Sequence, residues 1–142
     1  MKRNAIAIFL GFVGLMLANG LAYGGVLAPA LHDIMARAPA GLTHEAFHYV
    51  LLGHFAQAVL LVGLWAKMGI SSPKDGFLIG AALHFGMFTM FDSFVLSFLR
   101  LFEPLELVID VFVNSITGGF GGLVIALVFQ RMGTREAPIS TT

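Results

Sequence analysis

Four long apolar stretches dominate the chain, separated by short polar punctuation. They run from about residues 5 to 29, 46 to 66, 77 to 99 and 105 to 130. A helix needs about 20 predominantly apolar residues to cross a bilayer, and each stretch is long enough. No charged residue interrupts the first; the other three carry isolated polar groups. A signal peptide has an apolar core of roughly 7–15 residues. The longer run after Met1-Lys2-Arg3 therefore predicts an uncleaved first span.

The punctuation fits four helices. Pro29 to Thr43 is the longest connection, holds His32, Asp33 and Arg37, and has room for a short interfacial helix. Thr43 suits an N-cap, with Glu45 in the first turn, where negative charge is favoured. Ser71-Ser72-Pro73-Lys74-Asp75-Gly76 reads as a turn. Glu103-Pro104 divides the third and fourth spans, proline being suited to a first helical turn. The expectation is an all-α, integral membrane four-helix bundle over residues 1–132, followed by a disordered polar tail at 133–142.

Composition agrees. Of 142 residues, 58% are hydrophobic and 11% charged, against about 25% charged in soluble domains. The formal net charge is zero, so nothing points to nucleic acid. Cysteine is absent, which removes disulfides, thiolate ligands and cysteine nucleophiles. Lysine and arginine set the orientation. Lys2, Arg3, Lys67, Lys74, Arg131 and Arg135 fall on one side, Arg37 and Arg100 on the other. Both termini are expected in the cytoplasm.

Ionisable residues inside a span cost about 2.5–3.5 kcal/mol on insertion scales, so their positions are informative. At 1.5 Å rise per residue, Asp92 lies roughly 10 Å, Asp110 roughly 8 Å and His54 roughly 12 Å below the outer ends of their spans. Asn114 is one turn below Asp110, and Asn19 and Tyr23 also fall in the outer half. Every span thus contributes to one outer-leaflet layer, expected to form a ligand-binding polar pocket from Asp92, Asp110, Asn114, His54, Asn19 and Tyr23. Glu106, Asp110 and Asn114 recur every four residues, and Gly118, Gly121 and Gly122 continue near that face. His84, Phe88 and Asp92 share a face of the third span.

Each feature has a plainer explanation. Uncharged polar groups commonly bond across membrane helices as glue, and carboxyls can do the same. His44 and His48 have the i,i+4 spacing of two metal ligands, but no cysteine or adjacent acid completes a motif, and no metal site is expected. His84 fits a satisfied buried histidine, and Phe85, Phe88, Phe91, Phe94 and Phe98 fit a lipid-facing or packing surface.

Gly80-Ala81-Ala82-Leu83-His84-Phe85-Gly86, followed by Met90-Phe91-Asp92-Ser93-Phe94 and then Val108-Ile109-Asp110-Val111, resembles bacterial four-span membrane families known only as domains of unknown function. Tyr23-Gly24-Gly25-Val26-Leu27-Ala28-Pro29 and Gly41-Leu42-Thr43-His44-Glu45 extend the likeness over most of the chain. Where one such family carries an acid in the first span, this chain has Asn19. The resemblance implies a multi-pass protein of the bacterial inner membrane and highlights Asp92 and Asp110; it implies no reaction and no cofactor.

Three functions compete. The leading one is binding or transport of a small cation, proton or amphipathic ligand, since two adjacent carboxylates share a proton. Four helices are thin for a permeation path, so a homo-oligomer is expected, with small-residue faces at Gly11/Gly14 and Gly118/Gly122 as contacts. The alternatives are a membrane enzyme using Asp92, Asp110 and His54 as acid, base or metal ligands, and an accessory subunit with a membrane-embedded partner.

Overall fold

The computed structural model describes residues 1–37, 47–99 and 103–133, without the side chains of residues 30, 31, 35, 37 and 99. Within these limits the chain is all-helical. Helix α1, Lys2–Leu21, runs into a π-helical turn, Ala22–Val26, and α2 follows at Ala28–Arg37. Three long helices complete the fold: α3, Phe47–Met68; α4, Pro73–Leu99; and α5, Pro104–Met132. Four helical stretches, Lys2–Val26, Phe47–Met68, Pro73–Phe98 and Pro104–Met132, are long and apolar enough to cross a membrane. Their outward faces carry Phe9, Leu17, Phe55, Phe91 and Phe112. A surface of that kind fits hydrocarbon and not water, as in a multi-pass membrane protein.

Several boundaries differ from expectation. The first span does not continue to Pro29. A π-type hydrogen bond from the Leu27 N–H to the Ala22 carbonyl interrupts it (2.8 Å), and Pro29 becomes the second residue of α2, a short helix in the connection where one was foreseen. The turn before α4 is shorter than Ser71–Gly76, because Pro73 opens the helix and Lys74, Asp75 and Gly76 lie within it. Helix α5 starts at Pro104, its first turn closed by a capping box in which the Glu103 N–H donates to the Glu106 carboxylate (2.8 Å). Thr43, His44, Glu45, Arg100 and the tail from Thr134 lie outside the described residues.

Helix α5 is the hub. It packs chiefly against α4 and α1, while α1 also packs on α3. The α4–α5 contact is glycine on glycine. A Cβ on Gly80 would meet the Gly118 carbonyl, and one on Gly76 would stand 2.6 Å from both the Gly122 carbonyl oxygen and the Ala126 Cβ. Small residues four apart on both helices let the backbones approach this closely. Gly11 fits under Ile125 and Gly14 under Val124 in the same manner on the α1 side. The glycine faces expected to join copies of the chain are therefore occupied within it.

The apolar core fills the end of the bundle that bears the termini, where Ala7, Leu61, Val62, Trp65, Ile125, Ala126 and Phe129 are buried. The indole N–H of Trp65 donates to the Gly122 carbonyl (3.1 Å) and ties α3 to α5. The start of α1 and the end of α5 meet there: Arg3 lies over the Phe129 ring (4.4 Å) and donates to the Gly133 carbonyl (3.2 Å).

Because Gly122 already touches Gly76 and a Cβ there would stand 2.9 Å from Trp65 Cζ2, Gly122→Ala is expected to lower the thermal midpoint in detergent. Overpacking of this kind costs about 1–3 kcal/mol. Gly86→Ala, with nothing within 4 Å of the new methyl, is expected to leave the midpoint unchanged or raise it slightly.

Candidate functional site

The glycine register positions the intramembrane carboxyls. Helices α4 and α5 are antiparallel, in contact at Gly80 and Gly118. Asp92 lies twelve residues beyond Gly80, and Asp110 eight before Gly118. The difference of four residues is roughly 6 Å along the axis. Side chains lean toward the N-terminus of their own helix, so Asp92 leans back toward the core and Asp110 leans away from it. The two carboxyls come within hydrogen-bonding reach of one another.

Three elements supply the rest of the cluster. Tyr23, carried on the π-helical turn, donates its hydroxyl to Asp110 Oδ1. Asn114, one turn beyond Asp110 on α5, reaches Asp110 Oδ2 (2.8 Å) and the Tyr23 hydroxyl oxygen (2.6 Å) with its amide nitrogen. That nitrogen also lies 3.0 Å from the Asp110 carbonyl. Asn114 is 5% exposed and Asp92 2% exposed. Tyr23 thus sits in a π turn, and such bulges often sit at functional sites.

Both Asp110 oxygens already accept a hydrogen bond, one from Tyr23 and one from Asn114. A hydrogen bond between the two carboxyls needs one proton on the pair. Asp92 Oδ2 has no partner among the described residues despite its burial. Tyr23 and Asn114 thus orient Asp110, and Asp110 lies against the buried Asp92.

A second pair joins α1 to α3. The Nδ1–H of His54 donates to the Val50 carbonyl (2.8 Å), which leaves Nε2 to accept from the Asn19 amide (2.6 Å). The six expected site residues therefore form two bonded groups, Tyr23–Asp92–Asp110–Asn114 and Asn19–His54. Ser115 and Thr117, buried on α5, bond back to the carbonyls of Val111 and Asn114.

Beside the first group lies an apolar groove of about 500 Å³ between α1 and α5. Its lining includes Leu17, Leu21, Ala22, Val113, Thr117 and Phe120. Ala22 and Val113 are direct chain neighbours of Tyr23 and Asn114. The groove opens through the apolar outer face, where Leu17, Leu21 and Phe120 are exposed.

Two residues given little weight in the sequence prove informative. His84 is buried as expected, but only half satisfied: Nδ1 bonds the Gly80 carbonyl (3.0 Å), while Nε2 has no partner. Gln57, three residues beyond His54 on α3, also has a buried unpartnered oxygen. Both fall near the middle of their helices, and that matched depth was the available signal. Of the phenylalanine tract, Phe85, Phe91, Phe94 and Phe98 face outward, whereas Phe88 stacks on His84 with ring centroids 6.1 Å apart. His48 is exposed and rests on the Tyr49 ring. Among the described residues, no three His, Cys, Asp or Glu side chains converge as a metal site would require.

If Tyr23 and Asn114 act together on Asp110, Tyr23→Phe and Asn114→Ala should be non-additive in a double-mutant cycle of unfolding midpoints. Interhelical hydrogen bonds in membranes average about 0.6 kcal/mol and reach about 1.7 kcal/mol; a coupling toward the upper figure is expected, and strict additivity would show that the contacts are independent. No family model, curated protein or solved structure matches the chain.

Proposed function

We propose that the chain is a multi-pass protein of the bacterial cytoplasmic membrane that binds an exchangeable proton, or a small cation in its place, at the Asp92–Asp110 pair in the service of transport. The observation that carries this reading is Asp92: 2% exposed, against a carboxylate whose two oxygens already hold other donors, and with its own Oδ2 unpartnered. An acid held in this way inside a span costs insertion energy, whereas structural glue at the same place would need only an amide. Two carboxyls, with no third acidic or imidazole ligand among the described residues, suit a proton or monovalent ion better than a divalent metal.

The basic residues support the orientation. Lys2, Arg3, Lys67, Lys74 and Arg131 all belong to the end of the bundle bearing the termini, which the positive-inside rule places in the cytoplasm. The carboxyl pair then lies in the outer half, within reach of protons from the exterior. The groove beside Tyr23 and Asn114 favours an amphipathic ligand as a second reading, with its tail between α1 and α5 and its polar end at the cluster. Its volume is typical of ligand pockets, which span roughly 300–1,000 Å³.

The test is thermal unfolding of wild type and Asp92→Asn across pH, in sodium and in potassium salts. Loss of the proton puts two anions in contact, so the wild-type midpoint is expected to fall as pH rises through the titration of the pair. Asp92→Asn keeps a permanent donor against Asp110 and is expected to flatten that dependence. A wild-type midpoint indifferent to pH and to both cations would sink the proposal.

A further inference from the structure

The groove between α1 and α5 has a length, a section and a chemistry that narrow what can fill it. On α1 it runs from Gly14 to Leu27. Gly14 is the middle residue of the Lys2–Val26 span, so the groove reaches from the middle of the membrane to its surface. It closes at the inner end, where Gly14 packs under Val124. From Gly14 to the end of the span is roughly 18 Å at helical rise. One leaflet of hydrocarbon is about 15 Å deep, half of a core of about 30 Å.

A volume of about 500 Å³ over that length gives a mean section of about 30 Å². A helix with its side chains is about 10–12 Å across, a section of about 80 Å² or more. The slot is too narrow for a helix of a second copy and wide enough for a single hydrocarbon chain. Its lining is apolar apart from Thr117, whose hydroxyl donates to the Asn114 carbonyl (2.9 Å), so no side-chain donor is left for a polar guest. The rim residues Leu17, Leu21, Ile116 and Phe120 are exposed on the outward apolar face, whereas Thr117 is 3% exposed. The groove is thus continuous with the lipid-facing surface but recessed behind it.

We propose that this groove is a binding site for one acyl chain of a phospholipid from the leaflet farther from the termini, the outer leaflet in the orientation above. The chain lies along the helices with its methyl end against Gly14 and Val124. Its glycerol and headgroup stand at Val26 and Leu27, beside the π turn that carries Tyr23. This lipid is held deeper than one that merely coats the bundle, because Ala18 and Thr117 contact it from behind the rim. The site rests on the amphipathic-ligand reading of the groove and names the class of that ligand. It does not need the proton reading, because neither Asp92 nor Asp110 lines the groove.

The experiment is photolabelling of the whole chain in vesicles of phosphatidylethanolamine and phosphatidylglycerol. The probe is a phosphatidylethanolamine with a diazirine midway along one acyl chain, and adducts are mapped by mass spectrometry after digestion. Labelling of Ala18 and Thr117 is expected. Ala18→Phe and, from the α5 wall, Val113→Phe each fill the slot, and each is expected to cut the Thr117 adduct at least several-fold. Phe91 and Phe94, exposed on α4, should keep their labelling, and the thermal midpoint reports that each variant folds. A groove labelled no more than background, or a Thr117 adduct that survives the substitutions in folded protein, would overturn the site. A fatty acid bearing the same diazirine is the second arm. If it labels the groove and the phospholipid does not, the phospholipid is discarded and the amphipathic ligand stands; if neither labels it, both fall. Ala18→Cys, in a chain otherwise free of cysteine, is expected to give no disulfide-linked dimer under oxidant, and a dimer would put a second copy in the groove instead. Groove labelling beside a pH-independent midpoint would keep the lipid site and discard only the proton reading.

Discussion

The approach of α4 and α5 over bare backbone is the constraint from which the rest of the bundle follows. Hydrocarbon gives helices no hydrophobic reason to associate, so contact has to come from close packing and polar bonds. Gly76, Gly80, Gly118 and Gly122 supply the packing, and because backbone carbonyls cannot shift as side chains do, they also fix the register. That register carries Asp92 to Asp110 and sets the His84 ring over Gly118. A half-turn slip would separate the carboxyls and leave Asp92 in lipid, so the same four glycines govern both packing and the electrostatics of the far end.

The polar cluster adds a second fastening at the opposite end. Near the termini, Trp65 and the aliphatic core hold α3, α1 and α5 with little polar bonding. At the far end, Tyr23, Asp110 and Asn114 tie α1 to α5, while Asn19 and His54 tie α1 to α3. Helix α5 takes part in both, which is why it is far more buried than the other spans. Along the middle of the molecule, α3 and α4 have neither fastening between them, and there a small cavity beside Gln57 and His84 opens. The cavity is thus a consequence of the packing order, since among the described residues no glycine face or hydrogen bond draws these two helices together.

Much of this was legible in the sequence because span length and depth are one-dimensional quantities. Counting residues from span ends placed Asp92, Asp110, Asn114, His54, Asn19 and Tyr23 in one layer, and the structure brings them into two bonded groups in that half. Which residue meets which was not legible, because it depends on the rotation of each helix about its axis. Neither Asn19–His54 nor Tyr23–Asp110 can be derived from spacing along one chain. Gly76 shows a different limit. Ser71 to Gly76 has turn composition, yet Pro73 and Asp75 are also helix-opening residues, and the need for a residue without a side chain against Gly122 places Gly76 inside α4. Gly24 and Gly25 read as the end of a span and lie instead in the π turn that carries Tyr23.

That π turn bears on why a tyrosine holds the carboxylate. The π turn lines the groove with Ala22 and Val26, beside Leu17 and Leu21. From it the Tyr23 hydroxyl reaches Asp110, while Gly24, Gly25 and Val26 stay exposed. A π turn has poorer local geometry than the α-helix it replaces, so the hydrogen bonds of Tyr23 to Asp110 and Asn114 must offset that local cost. The geometry then joins the end of α1 to Asp110, and Asp110 to the buried carboxyl of Asp92. A change in the charge of the carboxyl pair would act on the bonds that hold the π turn, and through them on the mouth of the α1–α5 groove, where Ala22, Val26 and Leu27 line one wall.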